Sequence, residues 1–237
     1  MIAVWKREMQ SYFYTPVGYV FMGVFLTLSS VIFFLQIMSQ RSSDLLTFIG
    51  NMSYLWMLLC PVLTMRLLAE ERQKATDQLL FTSPVSLIGV VLGKYLAAIT
   101  LTLITVALTL VYVLVVMLYG QVFAGELLCG YLGFALQGFA FIAVDLFVSG
   151  LCRAPVTAAI LAFGLNFALW MMDLLVSAVP AQLGRVLSFL SLYSRNEPFL
   201  MGQLSYASIL YDVAVIIIFL ASAICTLDAR RYRGKGA

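Results

Sequence analysis

Histidine is absent from the 237 residues. That absence removes HExxH zinc sites, Ser-His nucleophile pairs and histidine proton relays together. Charge is scarce too: 11% of residues are Asp, Glu, Lys or Arg, against roughly 25% in an ordinary soluble domain. Hydrophobic residues make up 63% of the chain, and mean hydropathy is +1.02. Such a chain cannot cover a soluble core with polar surface, so its fold class is all-α integral membrane protein in contact with the lipid bilayer. Cysteine is limited to Cys60, Cys129, Cys152 and Cys225, far apart in apolar surroundings and without a CxxC pair. They are read as small core residues rather than metal ligands or a disulfide framework. A formal net charge of +3 gives no basis for a nucleic-acid partner. A phosphate loop of the GxxxxGKS or GxxxxGKT type is missing as well, so any ATP-driven activity needs its nucleotide site on another protein.

What remains is a series of apolar runs, predicted as one transmembrane domain over 1–237. Residues 2–14 form an amphipathic stretch, with Ile2, Trp5, Met9, Tyr12 and Phe13 at helical spacing against Lys6, Arg7, Glu8 and Gln10. A helix of this kind lies along a membrane surface, and Pro16 ends it. Six runs are long enough to cross a bilayer, at about 17–38, 45–68, 87–119, 127–151, 156–179 and 209–227, since a span needs about 20 residues. The first is too long for a signal-peptide core and is expected to be retained. The third is overlong, so its first turns are expected to project from the membrane with Lys94 snorkelling to the interface. Residues 180–208 contain only short apolar pieces around Arg185, Arg195, Asn196 and Glu197. They are expected as short extracytoplasmic re-entrant helices, allowed where protein or water satisfies their backbone.

Basic residues set the expected orientation. Lys6, Arg7, Arg66, Arg72, Lys74, Lys94, Arg153, Arg230, Arg231, Arg233 and Lys235 fall on one side under the six-span count, and only Arg41, Arg185 and Arg195 on the other. This asymmetry predicts a multi-pass protein of the cell inner or plasma membrane, with both termini cytoplasmic.

The main charged interruption runs from Leu63 to Ala98 and holds Arg66, Glu70, Glu71, Arg72, Lys74, Asp77 and Lys94. The expectation there is a helix, a turn at Thr82-Ser83-Pro84, and a new helix from about Ser86, with Ser83 or Ser86 capping it. The segments KREMQSYFYTPVGYVF, MRLLAEERQKATDQLLFTSPVS, VLGKYLAA and DARRYR together resemble the permease subunit of ABC-2 type transporters. The likeness is greatest to the compact branch that includes gliding-motility and copper-site maturation permeases, and it covers essentially the whole chain. Its most specific part is Glu71, Thr76, Asp77, Leu79, Leu80, Pro84, Gly93 and Lys94, with Ala75 where glycine is usual and Asp77 where glutamate is usual.

The resemblance implies a six-span membrane subunit with an N-terminal connecting helix, a cytoplasmic coupling region at 69–84 and short re-entrant helices before the sixth span, while the largely apolar spans favour an exporter. The resemblance also implies a separate ABC-type ATP-binding subunit, which would carry ATP and Mg, and a second permease subunit to complete a homodimer or heterodimer. The ATPase-coupling residues are then Glu70, Glu71, Arg72, Thr76, Asp77, Leu79, Leu80, Phe81 and Pro84. Leu79, Leu80 and Phe81 would be apolar anchors, while Glu71, Arg72 and Asp77 would set register through charge pairs. A run of charges such as 70–77 is also what a merely solvated helix face looks like.

Asp145, Asp173 and Asp212 are acids within or near spans. Asp173 and Asp212 fall near outer ends, where hydration is expected. Asp145 is deeper, and a charge at mid-bilayer costs on the order of 3 kcal/mol. At about 100° per residue Gly138, Asp145 and Ser149 share one face, which should point into protein. Asp145 and Ser149 are therefore polar candidates for either a pathway or a structural hydrogen bond. The aromatic residues, 14% of the chain, are expected mainly at lipid-facing and interfacial positions. Two other classes stay open: an ion-coupled secondary transporter, which would use Asp145, and an intramembrane enzyme using Ser149, for which no activating base is evident.

Overall fold

The computed structural model describes residues 1–40, 42–74, 86–120, 123–176 and 191–233, without the side chains of 173–176, 194 and 230–233. Among the described residues the chain is helical and has no strand. Helix α1 spans Ile2–Tyr14, and α2, Pro16–Phe33, runs on into a π-helical turn, Phe34–Met38. Then come α3 (Leu45–Gln73), α4 (Leu87–Tyr119), α5 (Ala124–Leu151), α6 (Pro155–Val176), the short α7 (Leu192–Leu200) and α8 (Tyr206–Arg233). Six helices among them, α2 through α6 and α8, are long and apolar enough to cross a membrane.

The helix starts follow local chemistry. Pro16 sits in the first turn of α2, where its missing N–H costs nothing. Asp44 caps α3 by accepting hydrogen bonds from Thr47 N at 3.1 Å and Thr47 Oγ1 at 2.6 Å. Ser86 caps α4 by accepting from Gly89 N at 3.2 Å; the alternative cap, Ser83, lies outside the described residues. α3 is longer than the apolar run alone suggests, because the polar residues 69–73 continue the helix past the end of the expected span.

The two central helices are α3 and α5, and the large rings pack between them. Trp56 of α3 is fully buried, with Phe25 of α2 and Phe134 of α5 each 4.8 Å away by ring centroid. Its indole N–H donates to the Phe134 carbonyl at 3.0 Å, so the ring brings no unsatisfied donor into the core. Gly138 provides the space: a Cβ there would lie 3.0 Å from the indole ring. A second set, Phe33, Phe48 and Tyr112, joins α2, α3 and α4. The expectation that aromatics mainly face lipid or the interface therefore needs correction for Phe21, Phe25, Phe48, Trp56, Phe134 and Phe199, all fully buried. Lipid tails are as apolar as side chains, so helix association rewards close packing, and a ring seated against glycine supplies it.

The α7 helix is nine residues long, too short to span. It is buried against α5 through Phe199 and Asn196, each within 2.6 Å of where a Gly133 Cβ would be. Asn196 Nδ2 donates to Gln137 Oε1 at 2.7 Å, and Tyr54 Oη of α3 bonds Tyr193 Oη at 2.7 Å. Its end is a Schellman turn: Gly202 N donates to Phe199 O, and Gln203 N to Pro198 O, with Gly202 at φ 71°. That left-handed geometry favours glycine. Asp212, expected to be hydrated, is instead 2% exposed. Because α8 begins at Tyr206, the acid sits nearly two turns inside the helix, and Arg195 of α7 lies over the neighbouring Tyr211 ring. The side chain of Asp173 lies outside the described residues.

Candidate coupling site

At one end of the bundle, here called the basic end, α1 lies across the C-terminal part of α3 and the N-terminal part of α4. Three contacts fix it. Trp5 Nε1 donates to Thr100 Oγ1 of α4 at 3.0 Å. Tyr12 Oη donates to the Leu63 carbonyl of α3 at 3.3 Å. At Gly93 a Cβ would lie 2.9 Å from Val4 Cβ and 3.0 Å from the Met1 carbonyl oxygen, so glycine is what lets α1 approach α4 this closely.

A fourth link, beside Gly93, is electrostatic. Lys94 Nζ donates to Glu8 Oε1 at 2.9 Å and to Glu71 Oε1 at 2.8 Å. Arg7 Nη2 reaches the same two carboxylates, each at 2.9 Å. The expected snorkelling of Lys94 is thus corrected: its side chain is 1% exposed, because α1 roofs it and brings an acid to it. Two cations and two carboxylates form a neutral quartet uniting α1, α3 and α4. Burial pushes the Glu8 carboxyl up, but attraction to Lys94 and hydrogen bonds from Arg7 and Lys94 outweigh it, leaving Glu8 below its ordinary value of 4.5.

On the adjoining face of α3, Arg66, Glu70 and Lys74 form an i,i+4 ladder, with Arg66 and Lys74 both bonded to the Glu70 carboxylate. Arg72 Nη1 donates to the carbonyls of Leu151 at 3.0 Å and Cys152 at 3.2 Å, which satisfies carbonyls at the end of α5 that the helix leaves unpaired. Ser149 works one turn further in. Its Oγ accepts from Leu68 N at 3.3 Å and Ala69 N at 3.2 Å, and donates to Met65 O at 3.2 Å.

The structure therefore brings together Glu70, Glu71, Arg72 and Ser149 around the last turns of α3. Thr76, Asp77, Leu79, Leu80, Phe81 and Pro84 lie outside the described residues, as does most of the 69–84 region. Asp145 is on the same face of α5 as Ser149, fully buried as its periodicity indicated, but it turns to α6, where Asn166 Nδ2 donates to its Oδ1 at 2.9 Å. Sequence reasoning missed Arg7, Glu8 and Asn166 as partners. The available signals were the acid beside a basic residue on the polar face of α1, a lysine inside an apolar helix that had to find an acid, and an isolated asparagine in FGLNFALW.

A family model described as ABC-2 family transporter protein matches residues 20–229, which takes in every crossing helix and the α3–α4 junction. The chain belongs to the ABC-2 transporter family. It is the permease, the membrane subunit of an ABC transporter. A comparison with curated proteins found no match. The matched range begins after Arg7 and Glu8, so in this ABC-2 permease the quartet joins two residues before the family domain to Glu71 and Lys94 within it.

Proposed function

We propose that this ABC-2 permease couples ATP hydrolysis by a separate ATP-binding subunit to outward movement of a substrate, and that residues 70–84 receive the force. The observation that carries this reading is the quartet of Arg7, Glu8, Glu71 and Lys94. Its α3 and α4 members flank residues 75–85, so a displacement of that segment acts at once on two crossing helices and on α1. The missing phosphate loop supports a nucleotide site on the partner. The basic end is cytoplasmic by the distribution of Lys and Arg, and Leu79, Leu80 and Phe81 seat in a groove of the ATPase. An ATPase pair that opens and closes needs two such contacts, so two permeases, identical or homologous, face each other across one pathway. Their largely apolar spans favour a lipid-like or peptide substrate.

Affinity purification in mild detergent tests the partnership, with the expectation that an ABC-type ATPase co-purifies. Leu80→Asp should abolish transport and substrate-stimulated ATPase activity while the permease still inserts and the isolated ATPase stays active. Single cysteines at Ser42 and at Met201, 62% exposed at the end of α7, should label from outside intact cells, and one at Gln73 should not. An unchanged complex and unchanged transport in the combined Leu80→Asp and Glu71→Lys variant would remove the coupling assignment in favour of a solvated helix face.

A further inference from the structure

Asp145 and Asn166 form a buried pair between α5 and α6, both 0% exposed. One hydrogen bond joins them, from Asn166 Nδ2 to Asp145 Oδ1 at 2.9 Å. The two remaining oxygens, Asp145 Oδ2 and Asn166 Oδ1, are buried and have no partner. An ionised carboxylate and an amide carbonyl only accept, so these two atoms cannot help each other. Turning the amide over would set its oxygen against the acceptor Asp145 Oδ1 and lose the one hydrogen bond, so a flip does not repair the deficit.

Neighbouring cations do not repair it. Among the described residues no ion pair reaches Asp145, and the basic side chains of the adjoining helices are engaged elsewhere: Arg66 with Glu70, Arg72 with the Leu151 and Cys152 carbonyls, and Lys94 with Glu8 and Glu71. The buried Cys60 of α3 is a titratable neighbour within electrostatic reach; α8 brings the acids Asp212 and Asp228, while the side chains of its Arg230, Arg231 and Arg233 lie outside the described residues. A lone carboxylate in such a place is costly, and buried carbonyls without donors add to the cost.

The geometry points to Asp145 as a proton-binding site, occupied in this state, whose single proton closes an acid–amide pair with Asn166. Asp145 Oδ2–H donates to Asn166 Oδ1 while Asn166 Nδ2–H donates to Asp145 Oδ1. The proton comes from water as the chain inserts, and no other bond is made or broken. One proton thereby removes the charge and gives both leftover oxygens a partner. The pair is also a clasp. The rest of this side of α6 packs through apolar side chains, Ala158, Ala162 and Leu165 with Ala69, Val148 and Cys152, so Asn166 adds a directional contact that fixes its rotation against α5.

The test uses the purified full chain in lipid nanodiscs. The infrared difference spectrum of wild type minus Asp145→Asn should contain the carbonyl stretch of a protonated carboxylic acid, and Asn166→Ala should shift that band by removing its hydrogen-bond partner. Asp145→Asn should keep the thermal midpoint within about 2 °C, because an amide–amide pair preserves both bonds, whereas Asp145→Leu and Asn166→Leu should each lose roughly 5 °C. Exchanging the residues, Asp145→Asn with Asn166→Asp, should restore the band and the midpoint. A spectrum with carboxylate bands alone, or an Asp145→Asn protein as unstable as Asp145→Leu, would overturn the proposal.

Discussion

Lys94 of α4 lies 2.8 Å from the Glu71 carboxylate of α3, with residues 75–85 between them in the sequence. Neither group would be placed there by membrane insertion alone, since a lysine in an apolar helix is expensive without a partner. Their pairing, with Glu8 on the far side of the ammonium, converts a buried charge into a fixed junction of three helices.

Lys94→Met should show how much of the permease depends on that junction. Methionine keeps most of the side-chain volume but removes one of the two cations that the described residues bring to these mostly buried carboxylates, leaving Arg7. We expect a loss of about 2–4 kcal/mol, in or below the lower part of the range for breaking a buried ion pair. Thermal unfolding in nanodiscs measures it, and a cysteine at Val4 should become more reactive as α1 lifts from Gly93. An unchanged midpoint would mean that Trp5, Tyr12 and the Gly93 contact hold α1 without the charges.

Acidification should act on the same junction from the other partner. Glu8 has its folded value below the ordinary 4.5, so its contribution is fully present above that ordinary value. It is lost as pH falls through the lower folded value. The thermal midpoint of the wild type should therefore drop over that acid interval. Glu8→Gln, less stable at neutral pH, should show a shallower drop there. Parallel curves for the two proteins would contradict the assignment.

The number of crossing helices was legible in the sequence because the bilayer imposes a length on each apolar run. The burial of Asp145, Ser149 and Gly138 was legible from helical periodicity. Pairings were not. Lys94 meets Glu8 across 86 positions, and Asp145 meets Asn166 across 21, and periodicity states which face is buried without naming the helix opposite. The aromatic core was misread for a related reason: a ring in an apolar run is equally compatible with lipid or protein, and only the facing Gly138 decides for Trp56. The helix expected through the charged stretch is seen as the continuation of α3 to Gln73, past the point where its apolar content stops.

Gly133→Val should dislodge α7. A Cβ at this position would sit 2.6 Å from the Asn196 side chain and from Phe199 Cβ, too close for any real contact, and valine adds two methyl groups beyond it. Relief requires α7 to move off α5 and break the Asn196–Gln137 hydrogen bond. Overpacking of this kind costs about 1–3 kcal/mol. The expected readouts are a lower thermal midpoint and greater hydrogen exchange across 192–200, with the basic end unaffected. If exchange in α7 stays at the wild-type level, the helix is held mainly by Tyr193 and its contacts with α3.

Reversal of charge separates a coupling role for Glu71 from a purely stabilising one. Glu71→Lys places a third cation beside Arg7 and Lys94, and Lys94→Glu places a third carboxylate beside Glu8 and Glu71; each breaks the neutrality of the quartet. The combined variant restores two charges of each sign in exchanged positions. Groups in direct contact show interaction energies of about 0.5–3 kcal/mol in such cycles, so the double variant should be more stable than either single one. If the junction transmits force, substrate-stimulated ATPase activity of the assembled transporter should fall in both single variants and return in part in the double. Stability that recovers while stimulation stays lost would give Glu71 a direct contact with the ATPase, which the exchanged charge cannot make. Stimulation unchanged in all three variants would show that force bypasses the Glu71–Lys94 pair and enters the membrane elsewhere.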